Sequence, residues 1–179
     1  ETVIVTSETR TDDSYADLII GNRHHTYATD YYGLKDVQTF DSSTFKGDAT
    51  IDAGLTDEMD DKYGNGEIDV AYTFGIGNDS LYMDVNENQG QGLNVAISMG
   101  EGDDLADIWI DGDTVDAVTE SFSLDLGNGN NTAIVGVSDG GDHSGPDADG
   151  VSLDTTAALQ NLSITSGSGD DHVTVYGNG

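Results

Sequence analysis

Val95-Ala96-Ile97-Ser98-Met99-Gly100-Glu101-Gly102-Asp103-Asp104-Leu105 holds in one stretch an alternating apolar run, a Gly-x-Gly step, two acids and the start of another apolar run. Extended back to Leu93, it puts Leu93, Val95, Ile97 and Met99 on one face and Asn94, Ala96 and Ser98 on the other. That alternation is the pattern of a half-buried strand. Beyond the corner Ile108 and Ile110 resume it. The same grammar recurs around Gly75-Ile76-Gly77-Asn78-Asp79, Gly127-Asn128-Gly129-Asn130-Asn131 and Gly167-Ser168-Gly169-Asp170-Asp171. The first glycines of the four corners are spaced 25, 27 and 40 residues apart, and removing a 12-residue insertion, Asp139 to Gly150, reduces the last gap to 28. One period of roughly 25–28 residues predicts an all-β chain folded as a parallel β-solenoid, each coil stacking on the next. A β-sandwich is the alternative, since short strands with turn signals also describe it. A Greek key, however, has no reason to repeat one corner at one place relative to its strand.

The chain has 179 residues, enough for one domain with its own core. Within it, residues 1–62 read as irregular N-terminal coils and 63–179 as regular Gly/Asp-rich coils carrying the acidic insertion at 139–150, in a single continuous domain. Val3-Ile4-Val5 and Leu18-Ile19-Ile20-Gly21 look like a degenerate coil, and Leu34 to Asp52 like another. The stretch from Asn22 to Tyr32, with His24-His25, reads as a loop. Starting at Glu1 and stopping after Tyr176-Gly177-Asn178-Gly179, the chain reads as a piece of a longer or processed protein.

Charge narrows the function. Lys plus Arg number 5 against 35 Asp plus Glu, a formal charge of -30. Nucleic acid is excluded as a partner because no phosphate-neutralising surface can be assembled. All five bases lie at or before Lys62, and the 117 residues from Tyr63 onward carry 21 acids and no Lys or Arg. Such a domain repels itself unless cations arrive, by bound divalent metal or by adaptation to high salt. No apolar run approaches the roughly 18 residues of a membrane span. Cysteine is absent, so thiolate metal sites and Cys nucleophiles are excluded. There is no Gly-x-Ser-x-Gly elbow, His-Glu-x-x-His pair or phosphate loop, and the chain is not expected to be an enzyme.

Clustered acids beside glycine point to calcium, which takes roughly six to eight hard oxygens from carboxylates and carbonyls in flexible turns. The candidate ligands are Asn78 and Asp79, then Asp103, Asp104 and Asp107, then Asp142, Asp147 and Asp149 in the insertion, then Asp170 and Asp171. Asp147-x-Asp149-Gly150 has the alternating donors of a calcium loop without its distal Glu. The plain alternative is an ordinary turn, favoured at Gly127 to Asn131, where both acids are Asn. Loop histidines are the reading for His24, His25, His143 and His172, since adjacent histidines on an extended chain point apart. The aromatics are scattered singly and suggest no sugar-stacking platform.

On these corners, Gly75-Ile-Gly-Asn-Asp-Ser-Leu, Gly100-Glu-Gly-Asp-Asp-Leu and Gly167-Ser-Gly-Asp-Asp-His-Val, the chain resembles the RTX-type calcium-binding proteins, above all their surface-layer and large-adhesin members. It departs from them in having one motif per long coil rather than one every nine residues. The resemblance implies export, folding on extracellular calcium and a scaffold or adhesive role. The expectation is thus a non-enzymatic, calcium-stabilised structural module of a secreted bacterial surface layer, adhesin or extracellular fibre. Its partners would be copies or neighbouring repeats of itself, with cell-surface polysaccharide as a further one. The alternative is a polysaccharide-acting β-helix enzyme or its calcium-binding, carbohydrate-binding accessory module.

Overall fold

The structure, a computed structural model, describes residues 1–7, 15–21, 33–56, 58–59, 67–86, 92–111, 119–138 and 161–176. Its strands form two sheets. In the first, β1 (Thr2–Ile4), β4 (Thr39–Asp41), β6 (Ile68–Thr73), β8 (Leu93–Ser98), β10 (Thr119–Asp125) and β12 (Leu162–Thr165) lie side by side in that order. In the second the order is β2 (Leu18–Ile20), β5 (Ala49–Thr56), β7 (Ser80–Asn86), β9 (Leu105–Asp111), β11 (Thr132–Ser138) and β13 (His172–Tyr176). The short β3 (Leu34–Lys35) pairs with Ala53 and Gly54 of β5, beyond the stretch of β5 taken by β2.

Every described pairing is parallel. From β4 onward consecutive strands alternate between the sheets, and each strand pairs with its counterpart one period away. Parallel pairing demands a long return between paired strands, and here the opposite sheet's strand lies on that return. The antiparallel hairpins of a Greek-key sandwich are not found among the described pairs.

Alternation along each strand sends one row of side chains inward. Register then aligns those rows into columns: Phe40, Tyr72, Ile97, Leu124 and Ile164 in the first sheet, and Ala53, Met83, Ile108, Val135 and Val175 in the second. All but the last member of each column are buried. Each fully buried Leu, Ile, Met or Phe contributes about 1.5–3 kcal/mol, so the columns carry the main driving force for stacking. The Tyr72 hydroxyl, buried in this apolar row, donates to the Val37 carbonyl at 3.2 Å.

The N-terminal third joins the same stack. β1 and β2 form its first layer, with Val3, Val5, Leu18 and Ile20 packed against the core. At the other end lie β12 and β13, each the last strand of its sheet. There Val173 and Val175 continue the inward columns in register with Ala133 and Val135 yet remain 42% and 49% exposed, with no further layer over them among the described residues.

Candidate functional site

The Gly-x-Gly-Asx-Asx corners stack directly on one another where the chain crosses from the first sheet to the second. Their glycines are a packing requirement. A Cβ on Gly75, Gly100 or Gly127 would run into the carbonyl oxygen one coil earlier, of Phe45, Gly75 and Gly100 respectively. The second glycines repeat this, Gly102 against the Gly77 carbonyl and Gly129 against that of Gly102. Gly102 and Gly129 also hold φ at 138° and 129°, a conformation that side chains rarely adopt. The row reaches back to Ala16, Phe45 and Gly47, so Phe45-Lys46-Gly47-Asp48-Ala49 is a fifth, degenerate corner.

The two Asx residues after the glycines form two columns of hydrogen bonds. In the buried column, Ala49 N–H donates to Asp79 Oδ1 at 2.7 Å, Asp79 N–H to Asp104 Oδ1 at 2.8 Å, Asp104 N–H to Asn131 Oδ1 at 2.9 Å and Asn131 N–H to Asp171 Oδ1 at 3.0 Å. Each side chain there reaches back to the preceding coil. In the exposed column the direction reverses. Asn78 N–H donates to Asp48 Oδ1 (2.8 Å), Asp103 N–H to Asn78 Oδ1 (2.8 Å), Asn130 N–H to Asp103 Oδ1 (2.7 Å) and Asp170 N–H to Asn130 Oδ1 (3.0 Å). At a bend where strand pairing cannot supply partners, the Asx oxygens cap the backbone donors that would otherwise be left unmade.

Of the residues expected to ligate metal, the structure thus brings Asn78 and Asp103 together with Asp170 along the exposed column, and Asp79 and Asp104 with Asp171 along the buried one. Asp107 is not at the corner. It lies on β9 and accepts a hydrogen bond from Trp109 Nε1 at 2.8 Å. Asp142, Asp147 and Asp149 lie outside the described residues, as do His24, His25 and His143. Among the described residues no three His, Asp or Glu side chains gather as a metal cluster.

The two columns differ electrostatically. Asp79 and Asp104 are 1% and 2% exposed, and the Oδ2 of each is buried without a hydrogen-bond partner. Loss of hydration pushes the Asp79 carboxyl up to about 6, against the pull of the Ala49 and Gly75 amides. It pushes Asp104 up to about 7, helped by the neighbouring charges of Asp79, Asp103 and Asp48 and opposed by the Asp79 amide.

One juxtaposition escaped the sequence reading. On the outward face of the second sheet, the Trp109 and Tyr176 rings stack with centroids 5.9 Å apart and planes 11° from parallel. Gly136 lies between them in register, and a Cβ there would strike the Trp109 ring. The signal was in the spacing: Trp109, Gly136 and Tyr176 each stand nine residues after the first glycine of their corner, Gly100, Gly127 and Gly167.

No protein family, curated protein or solved structure matches this chain. Among the described residues no helix is long and apolar enough to cross a membrane.

Proposed function

We propose that this chain is a non-enzymatic structural module, a parallel β-solenoid that extends by adding coils, belonging to a secreted, calcium-stabilised bacterial surface layer, adhesin or extracellular fibre. One observation carries the reading. Among the described residues β12 and β13 each pair on one side only, with Val173 and Val175 in core register and half exposed. A parallel edge of this kind is a template for another strand of the same polarity. Head-to-tail addition of a further coil, from a second copy or from neighbouring repeats of the same polypeptide, keeps that polarity and does not close on itself, so it grows a filament or layer. Calcium is the countercharge that lets a chain of formal charge -30 stack so closely.

Sedimentation velocity on the 179-residue chain with calcium present tests this. Concentration-dependent association is expected, and its loss in a Val173→Asp, Val175→Asp variant that keeps its β-type circular dichroism. A strictly monomeric protein at high concentration would overturn it.

A second reading, a carbohydrate-binding module for cell-surface polysaccharide, is favoured by the Trp109–Tyr176 pair, a flat aromatic surface with the Asp107 carboxylate beside it. Affinity electrophoresis through neutral polysaccharide gels decides it: retardation lost in Trp109→Ala supports that module, and equal mobility of both proteins removes it.

A further inference from the structure

The buried column contains a chemical choice that hydrogen bonding alone does not explain. Asn131 performs the same capping as its neighbours, accepting the Asp104 N–H at 2.9 Å, with no charge. Its other end is also used, since Nδ2 donates to the Gly129 carbonyl at 3.4 Å. Asp79 and Asp104 occupy equivalent places one and two coils earlier. Their Oδ1 atoms are spent on the Ala49 and Asp79 amides. Their Oδ2 atoms have no partner, and being oxygens they cannot donate to the carbonyls of Gly77 and Gly102, the equivalents of Gly129 in those corners. Two buried carboxylates thus sit on successive coils, each with a free oxygen, where asparagine would serve the ladder better. They are flanked in the column by neutral Ala49 and Asn131.

We propose that Asp79 and Asp104 together hold one calcium ion through their Oδ2 atoms, as a buried site that locks adjacent coils. The donors are hard carboxylate oxygens, which suit calcium rather than zinc or copper. A buried carboxylate without a partner is costly, and a divalent cation offsets two at once. Protons could satisfy the same oxygens, and the titration below separates the two. The inference rests on the calcium part of the proposed function and is independent of the association part.

The test is calorimetric titration of the chelated full chain with calcium chloride at pH 7.5 and fixed ionic strength, alongside thermal melts. The double variant Asp79→Asn, Asp104→Asn keeps both ladder acceptors and removes both charges, and Asp103→Asn makes the same change in the exposed column. Wild type and Asp103→Asn are expected to bind equal numbers of calcium ions. The double variant should bind one fewer, lose the accompanying rise in Tm, and melt higher than wild type when both are metal-free. Should the double variant fail to fold, Asp104→Asn alone carries the comparison. Unchanged stoichiometry and an unchanged calcium-induced Tm rise in the variant would overturn this site while leaving calcium elsewhere in the chain intact. If wild type takes up no calcium at all and is stabilised only by acid, the pair carries protons, and both this site and the calcium part of the proposed function fall.

Discussion

The exposed and buried Asx columns use the same residue types in the same corner for the same bond, and they differ in what each acid costs. Asp48 and Asp103 cap amides from the solvent side, where water screens the charge and hydrates the spare oxygen. Asp79 and Asp104 make equally short bonds from inside, where the spare oxygen is dry. A hydrogen-bond ladder therefore accounts for an Asx residue at either position. It accounts for the charge only in the exposed column.

Breaking the corner that both columns share should have the largest effect. Gly129→Ala forces a Cβ into the Gly102 carbonyl at a φ of 129° and is expected to cost about 4 kcal/mol or more, shared between steric overlap and an unfavourable backbone. Chemical denaturation checks this. A loss below about 1 kcal/mol would mean that the corners are not packed this closely.

Changing pH should then separate the columns. The folded-state Asp79 and Asp104 carboxyls lie above their ordinary value of 3.8, so the folded chain binds more protons than the unfolded one between these limits. Their contribution is fully present below about pH 4 and is lost as pH rises through about 6 and 7. For Asp104 alone, the metal-free fold is expected to lose about 4 kcal/mol over that window. In Asp104→Asn the loss should shrink correspondingly, and in Asp103→Asn it should persist. A metal-free wild type equally stable at pH 5 and pH 8 would show that the buried column is hydrated.

The smallest effect belongs to the exposed column. Asp103→Asn retains the acceptor for the Asn130 amide and should change stability by less than about 0.5 kcal/mol. Asp103→Ala removes that acceptor and should cost about 1 kcal/mol. A larger loss from the Asn variant than from the Ala variant would assign Asp103 a role for its charge, and the contrast between the columns would vanish.

Much of the architecture was legible because strand alternation and corner spacing are local patterns. Leu93, Val95, Ile97 and Met99 face inward as their alternation requires, and the coil period sets which strands pair. The degenerate corner at Phe45 to Ala49 was hidden because Phe45 and Ala49 stand where glycine and Asx recur in the other corners. The corner also admitted two readings from composition alone, since glycine next to aspartate describes a metal loop and a capped turn equally well. Asp107, close to the corner in sequence, is turned by strand alternation onto the outer face beside Trp109.

What the sequence by itself determined is the all-β pattern, the coil period and the excess of acid, because these depend only on residue order and type. Tertiary structure decided that the strands pair in parallel in two sheets, that Trp109 meets Tyr176, and that Asp79, Asp104 and Asn131 are dry while the Asx before each is wet. Those outcomes depend on which coil lies above which. Adjacent aspartates on a bent backbone point to opposite sides, and only stacking determines which side is the interior.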